Sequence, residues 1–314
     1  MKNSPLARRQ FIKMALAASA TVSSGLLSGL ALAEPTRLFK ISLAQWSLHK
    51  AFRSGEMDPA NFASITRKLF NLDAIEYVNQ FYFDSLSDKV VMQLKNQAKD
   101  EGIESRLIMC DGEGALGDQD AKARKKAVQN HYRWADAAQE LGCHSIRVNA
   151  QSSGSWDEQM KAAADGLNQL AEYCAPLNLN VIVENHGGLS SNGKWLTGVM
   201  KLADNPRVGT LPDFGNFIIN RETGEAYDKY QGVTELMPYA KAVSAKTNGI
   251  NMQGNEPHID YYKMMKIVTD AGYHDYVGVE YEGSDWPEVE GVHQTIALLE
   301  RVHRQLQLDA NKAV

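Results

Sequence analysis

The chain of 314 residues is poor in cysteine and offers no long basic segment. Its three cysteines, Cys110, Cys143 and Cys174, lack the paired spacing of a zinc or iron–sulfur site. We interpret them as small buried residues, although an oxidising compartment would allow two of them to form a disulfide. The 33 Lys and Arg residues are outnumbered by 38 Asp and Glu residues. This balance excludes nucleic acid as the main partner, because phosphate neutralisation needs clustered cations.

Long apolar runs are also missing, and the first 33 residues come closest to one. That segment carries adjacent arginines at 8 and 9, continues as a weakly apolar stretch and ends in Ala-Leu-Ala at 31–33. It resembles a twin-arginine export signal and departs from that pattern at Ala7, where such signals more often carry Ser or Thr. We therefore expect a leader over 1–33 and a folded periplasmic protein without a membrane span over 34–314. An ordinary secretory signal or an uncleaved anchor is the alternative.

No G-x-G-x-x-G motif follows the first strand-like run, and an open Rossmann-like sheet would need one there. Eight apolar runs instead alternate with longer helical patterns. The strands are predicted at 41–48, 74–78, 105–110, 144–150, 180–185, 208–214, 240–246 and 276–283. The helices are predicted at 58–69, 86–101, 120–141, 156–175, 193–203, 232–238, 260–271 and 287–306. This alternation predicts parallel βαβ crossovers, and eight units predict one α/β domain, a (β/α)8 TIM barrel over 34–314.

Carboxylates follow three of the predicted strands, at the barrel end where catalytic groups cluster. Glu184 ends the fifth strand, Asp213 the sixth and Glu280 the eighth. Three anions converging near the barrel axis repel one another unless a cation lies between them or one pKa is strongly raised. Oxygen ligands suit Mg or Mn, and an added imidazole widens the choice to Zn, Co and Fe. The alternative is that these acids cap helix N-termini.

Several segments resemble one known family. They are YVNQFYF (77–83), LIMCDGEGALG (107–117), IVENHGG (182–188), PDFGNF (212–217) and the stretch from Ile259 to Gly283. Between Phe39 and Val302 the chain resembles the xylose isomerase-like TIM barrel superfamily, and within it an exported subgroup of sugar phosphate isomerase/epimerase proteins. The resemblance is informative for the fold and for the place of a metal site. It is weak for the substrate, because one fold hosts many reactions.

The resemblance implies one divalent metal ion, Mn, Mg, Co or Zn, held by Glu, Asp, His and Glu from strands five to eight. Glu184, Asp213 and Glu280 match the first, second and last of these ligands. The His position falls at or near Ser244, and a second usual His, three residues after the Asp, is Asn216 here. His186 is a further candidate ligand because it shares strand parity with Glu184. His258 or water are the other candidates for completing the metal's shell.

The resemblance also implies roles in proton transfer next to a sugar carbonyl. Glu184 and Glu280 would act as base and acid, while Asp213 would be a ligand only. Lys246, a third candidate catalytic residue, would stabilise a developing oxyanion or would pair with Asp213 or Glu280 in place of metal. The candidate substrate-binding residues are Trp46, Asn79, Asp111, Arg147, His186 and Asn216. Three of them have structural alternatives: rim packing for Trp46, support of the carboxylates for Arg147 and hydrogen bonding within a turn for His186.

Three functions follow from these residues. The leading hypothesis is metal-dependent isomerisation or epimerisation of a sugar or keto-sugar through an enediolate. The second is a metal-dependent lyase or hydrolase that cleaves an oxidised, 3-keto glycoside by elimination, since elimination uses the same proton abstraction. The third is a sugar-binding protein without catalysis. An abasic-site endonuclease is disfavoured by the acidic pI of about 5.9. The expected partner is a small carbohydrate, and the sequence leaves open whether the chain forms a homo-oligomer.

Overall fold

The computed structural model describes residues 37–312, and the predicted export signal lies outside them. Eight parallel strands form one curled sheet in this part of the chain. They are β1 (Lys40–Ala44), β2 (Ala74–Val78), β3 (Glu104–Met109), β4 (Ser145–Val148), β5 (Asn180–Glu184), β6 (Val208–Leu211), β9 (Val243–Thr247) and β10 (Tyr276–Tyr281). The strands β7 (Ile218–Asn220) and β8 (Glu225–Ala226) form a small antiparallel hairpin after β6 that the sequence patterns did not indicate.

The sheet closes on itself, which confirms the predicted (β/α)8 barrel. The hydrogen-bonded order is β6-β5-β4-β3-β2-β1-β10-β9, so β6 and β9 are the two ends that must meet. Isolated parallel bridges join Thr210 to Ala240 and Asp213 to Ser244. Across this seam Ser244 N donates to Pro212 O at 3.0 Å, and Phe214 N donates to Ser244 O at 3.1 Å. The closure therefore places the predicted metal ligand Asp213 directly beside Ser244.

Helices form the outer layer of the barrel. They are α1 (His49–Ser54), α2 (Phe62–Ile65), α3 (Asp88–Asp100), α4 (Ala121–Leu141), α5 (Trp156–Cys174), α6 (Gly193–Ala203), α7 (Lys229–Leu236), α8 (Tyr261–Asp270) and α9 (Glu288–Lys312). Local sequence fixes several starts: the Asp120 side chain caps α4, and Ser155 with Glu158 forms a capping box on α5. Side-chain caps of this kind satisfy the free N–H groups of the first turn.

One predicted helix differs from the structure. The single helix expected over 58–69 is replaced by a 3-10 turn (Pro59–Asn61), the short α2 and a π-helical turn (Thr66–Phe70). The Asp58 side chain accepts from Ala60 N at 2.9 Å and so starts the segment as predicted. Pro59 begins a tight turn, and the segment ends where Asn71 adopts a left-handed conformation with φ 52°.

Apolar and polar side chains share the interior of the barrel. Ala44, Val78, Leu107, Met109, Ile182, Leu211 and Ala242 form one buried cluster. Glu76 is one of the buried polar residues: its carboxylate accepts from Ser42 Oγ at 2.6 Å and lies against Gly278, where a Cβ atom would approach it to 2.5 Å. Burial raises the pKa of Glu76 to about 7. The barrel interior therefore contains a buried carboxyl group in addition to those at the strand ends.

Two further sequence expectations concern thiols and membranes. Cys110, Cys143 and Cys174 are buried free thiols, as the sequence suggested. None of the helices between residues 37 and 312 combines the length and apolar character that crossing a bilayer requires.

Two glycines in the outer helices give a test of this packing. A Cβ atom on Gly166 of α5 would overlap the backbone carbonyl oxygen of Leu116, whereas one on Gly198 of α6 would meet only the flexible Met160 side chain. We expect Gly166→Ala to lower the free energy of unfolding by about 2 kcal/mol, despite a gain of about 1 kcal/mol in helix propensity. Gly198→Ala should cost less than about 1 kcal/mol, because Met160 can move aside. Urea titration measures both, and equal losses would contradict the packing described.

Candidate active site

A pocket of about 210 Å³ opens at the C-terminal ends of the barrel strands. Its wall consists of Trp46, Val78, Gln80, Asp111, Arg147, His186, Glu280 and Glu282. Six of these eight residues carry a charge or a ring that can hydrogen bond. The eight residues together come from six different strand ends or the loops that follow them. This is the barrel face on which (β/α)8 enzymes place their catalytic groups.

The three carboxylates predicted as metal ligands come together in the structure. Glu184, Asp213 and Glu280 each offer one oxygen, and these oxygens lie within 4.8 Å of one another. All three side chains are buried. No other group of three or more His, Cys, Asp or Glu residues with this geometry occurs between residues 37 and 312. The arrangement is the donor set that a hard divalent cation prefers.

Asp213 is the most firmly held of the three acids. Its Oδ1 accepts from the backbone N–H groups of Gly215 and Asn216, each at 2.8 Å, and its Oδ2 accepts from Ser244 Oγ at 2.8 Å. Asn185 fixes the backbone of the same loop: its Oδ1 accepts from Asp213 N at 2.8 Å and its Nδ2 donates to the carbonyl of Asp213 at 2.9 Å. Burial raises the pKa of Asp213 to about 7, with Lys246 acting in the opposite direction.

Glu184 is held between an amide and a guanidinium. Asn216 Nδ2 donates to Glu184 Oε1 at 2.9 Å, and Arg147 Nε lies 2.9 Å from Glu184 Oε2. Arg147 and Glu184 therefore form an ion pair, but the Arg147 N–H is not aligned with Glu184 Oε2, and this buried oxygen accepts no hydrogen bond. Burial raises the pKa of Glu184 to about 7, and Arg147 partly offsets that effect. One oxygen of this carboxylate thus has the capacity for a further strong partner.

Lys246 carries its ammonium group into the midst of these acids. Its Nζ lies 3.0 Å from Glu280 Oε1, 3.3 Å from Glu282 Oε2 and 3.8 Å from Asp213 Oδ2. It also donates to Asn216 Oδ1 at 3.3 Å. Burial lowers the pKa of Lys246, but the surrounding carboxylates outweigh it and hold that pKa well above the usual value. The side chain is therefore a buried cation, and it pairs with Glu280 as one of the sequence alternatives proposed.

Asp111 and Arg147 form a second charged unit on the opposite wall. Arg147 Nη1 donates to Asp111 Oδ1 at 2.8 Å, and Asn149 Nδ2 donates to the same oxygen at 2.7 Å. Burial alone would raise the pKa of Asp111, but Arg147 lowers it below its ordinary value. Asn79 bonds the Asp111 backbone through both ends of its amide, at 2.9 and 3.0 Å. Arg147 thus bridges Asp111 to Glu184 while it also lines the pocket.

His186 and Trp46 stand at the rim. His186 is an exposed wall residue outside the carboxylate cluster, and its backbone N donates to Ser190 Oγ at 3.0 Å. The Trp46 ring has the His49 ring stacked 4.8 Å away and the Arg53 guanidinium 4.8 Å from its centre. These contacts are the rim packing that the sequence left as the alternative for Trp46.

Two wall residues were not among the predicted site residues. Glu282 accepts a hydrogen bond from Trp46 Nε1 and pairs with Lys246, while Gln80 donates to Asp111 Oδ2 at 3.4 Å. Glu282 shares strand parity with Glu280, which is the sequence signal that identifies it. Gln80 lies in a short 3-10 turn after β2, where periodicity gives no direction.

The comparison with protein families agrees with the barrel fold. A family model described as a xylose isomerase-like TIM barrel matches residues 67–302. The chain belongs to this family.

Two solved structures illustrate the fold of the family. The 3-keto-D-glucoside 4-epimerase of E. coli is 16% identical, with 84% of this chain and 99% of that chain covered at a TM-score of 0.61. A xylose isomerase-like TIM barrel protein from Mycobacterium smegmatis, in complex with magnesium, is 14% identical, with 85% and 97% covered at a TM-score of 0.61. At these identities the likeness shows the common fold alone.

One curated relative matches a short segment. The 3'-dehydrocarminate deglycosidase alpha subunit of a Microbacterium species is 30% identical over 71 residues. The match covers 23% of this chain and 20% of that subunit, so the chain corresponds to a small part of the relative's length.

Asn185 gives a test of how the site is positioned. Asn185→Ala removes the bonds to Asp213 N, Asp213 O and Asn216 O, which lie at 2.8, 2.9 and 3.1 Å. We expect a loss of about 2–4 kcal/mol in the free energy of unfolding, because buried backbone groups lose their partners. Asn96, exposed on α3, is the control, and its change to Ala should stay within about 0.5 kcal/mol. A loss for Asn185→Ala as small as the control's would show that other contacts hold the loop.

Proposed function

We propose that this protein is a metal-dependent isomerase or epimerase of an unphosphorylated sugar or keto-sugar. The observation that carries the proposal is the buried triad of Glu184, Asp213 and Glu280, with its three oxygens within 4.8 Å. Such a triad is unstable as three bare anions, so it calls for a cation.

The charge balance of the pocket favours a divalent ion. Glu184, Asp213, Glu280, Glu282 and Asp111 supply five carboxylates, and Lys246 and Arg147 are the cations paired with them. Two monovalent cations leave an excess of negative charge that a divalent ion would reduce. The buried Oε2 of Glu184, which accepts no hydrogen bond, offers one coordinating atom. An all-oxygen donor set favours Mg or Mn over Zn.

The residues suit proton transfer next to a carbonyl. A bound divalent ion would polarise the carbonyl and neighbouring hydroxyl of the sugar. Glu184 on β5 and Glu280 on β10 come from well-separated strands of the barrel, so they approach a pocket ligand from different sides. One carboxylate would take the proton and the other would return it, with Asp213 held still by its three hydrogen bonds. Lys246 would donate to the oxygen on which negative charge develops.

The pocket favours a small uncharged substrate. A volume of about 210 Å³ suits one sugar ring rather than an oligosaccharide. The excess of carboxylates would repel a phosphate group. We also propose that residues 1–33 are a leader that exports the protein to the periplasm. Phosphorylated sugars are not expected there, so this address would favour an unphosphorylated substrate.

A 3-keto glycoside lyase is the second candidate. Abstraction of a proton beside a ketone at C3 would expel the glycosidic oxygen, so the same base and ion serve both reactions. The observation that favours it is the match to a subunit named as a deglycosidase of a 3'-dehydro glycoside. We rank it second because that match covers 23% of the chain.

Metal analysis tests the first step. Elemental analysis of the purified protein should find about one divalent ion per chain. Glu184→Gln and Asp213→Asn should each lose the ion, because each removes one charged oxygen ligand. Glu172→Gln, an exposed acid on α5, should keep it. If the native protein takes up no metal even after incubation with Mn²⁺ and Mg²⁺, the metal-dependent function is wrong.

Solvent exchange separates the two reactions. Incubation with free ketoses in D₂O should give an epimer or isomer that carries deuterium at the carbon beside the carbonyl, and a chelator should stop it. A 3-keto glycoside offered in parallel reports elimination by release of its aglycone. Release of aglycone without deuterated epimer would favour the lyase. Tight sugar binding with neither product, unaffected by chelator, would indicate a binding protein.

A further inference from the structure

The ammonium group of Lys246 has two sets of acceptors at once. The inner set is Glu280 at 3.0 Å and Asp213 at 3.8 Å, both members of the carboxylate triad. The outer set is Glu282 at 3.3 Å and the Asn216 amide oxygen at 3.3 Å, which lie outside the triad. A small movement of this one group therefore shifts positive charge into or out of the triad.

The inner position competes with a divalent ion. Glu280 Oε1 faces the ammonium of Lys246, and the same carboxylate belongs to the triad of ligand oxygens. Two cations that share these buried oxygens repel each other strongly, because water screens little there. An ion that binds the triad must either displace the ammonium or bind weakly beside it.

The outer position, beside Glu282 and the Asn216 amide oxygen, offers oriented acceptors to the ammonium group. Glu282 Oε1 is fixed by a hydrogen bond from the Trp46 indole, while its Oε2 faces Lys246. The Lys246 stem is confined by Gly215, where a Cβ atom would lie 3.0 Å from Lys246 Cδ. The confined stem leaves the ammonium end as the part that moves.

We propose that Lys246 is an internal counter-ion of the triad and that Glu282 receives its ammonium when a divalent ion binds. The pair then sets the metal affinity: Lys246 lowers it by competing for the triad, and Glu282 raises it by drawing the ammonium away. The inference rests on the proposed function for the identity of the bound species. With an ion bound, the ammonium beside Glu282 lies at the pocket wall, where it meets the substrate.

The two residues should have opposite effects on metal binding. Calorimetric titration with Mn²⁺ compares the native protein with Lys246→Met, Glu282→Gln and the control Lys99→Met, an exposed lysine at the end of α3. We expect Lys246→Met to bind Mn²⁺ about tenfold more tightly or better, and Glu282→Gln to bind it several-fold more weakly. Lys99→Met should match the native protein.

Thermal unfolding gives a readout that does not depend on activity. In EDTA, Lys246→Met should unfold at a lower temperature than the native protein, because the triad loses its counter-ion. Saturating Mn²⁺ should then raise its unfolding temperature by more than it raises that of the native protein. Glu282→Gln keeps the inference testable should Lys246→Met fail to fold, since its weaker binding is expected independently.

Three outcomes decide the inference. If the native protein binds Mn²⁺ and Lys246→Met binds it no more tightly, the inference is overturned while the proposed function stands. If neither protein binds Mn²⁺, both are overturned. If only Lys246→Met binds it, the counter-ion role stands and the metal-dependent function of the native chain fails.

Discussion

The site depends on an excess of buried negative charge, which comes from carboxylates at the strand ends. Parallel strands place Glu184, Asp213 and Glu280 at one end of the barrel, where all three side chains are buried. Carboxylates in such surroundings are costly as anions, which is why burial raises the pKa of Glu184 and of Asp213 to about 7. The neighbouring groups stabilise these carboxylates in two ways. Side-chain amides and backbone N–H groups donate hydrogen bonds to their oxygens, and the buried cations Arg147 and Lys246 form ion pairs with them.

The three acids differ in the hydrogen bonds and ion pairs that they make, and this difference suits them to different chemical roles. Asp213 accepts three hydrogen bonds from the loop that carries it and from Ser244 across the barrel seam. Glu184 keeps one buried oxygen without a hydrogen bond, and Glu280 pairs with the ammonium of Lys246. An acid with all its hydrogen bonds made suits a fixed ligand, whereas an acid that keeps hydrogen-bonding capacity suits proton transfer. We therefore propose Asp213 as a ligand only and Glu184 and Glu280 as the proton-transfer pair, the roles that the family resemblance implied.

The barrel, the place of its site and most residues of the pocket wall were predictable from the sequence, but the loop conformations were not. Alternating strand and helix patterns gave β2 with its bounds at Ala74–Val78 and placed the three acids at strand ends. Shared strand ends bring such residues together whatever the loops do. Glu282 could have been found from its strand parity with Glu280. The hairpin at 218–226, the broken helix after Asp58 and the role of Gln80 depend on loop geometry and side-chain rotamers. Neither has a period that a pattern can reveal. Pairing of Lys246 with Asp213 or Glu280 was an alternative that the sequence left open, whereas its contact with Glu282 emerged only from the structure.

Whether the triad binds a divalent ion is tested most directly by anomalous diffraction from crystals grown with Mn²⁺. The account predicts one Mn²⁺ peak about 2.2 Å from an oxygen of Glu184, of Asp213 and of Glu280. It also predicts that the Lys246 ammonium lies closer to Glu282 than to Glu280. Crystals with no anomalous peak in the pocket, and with Lys246 still bound to Glu280, would contradict it.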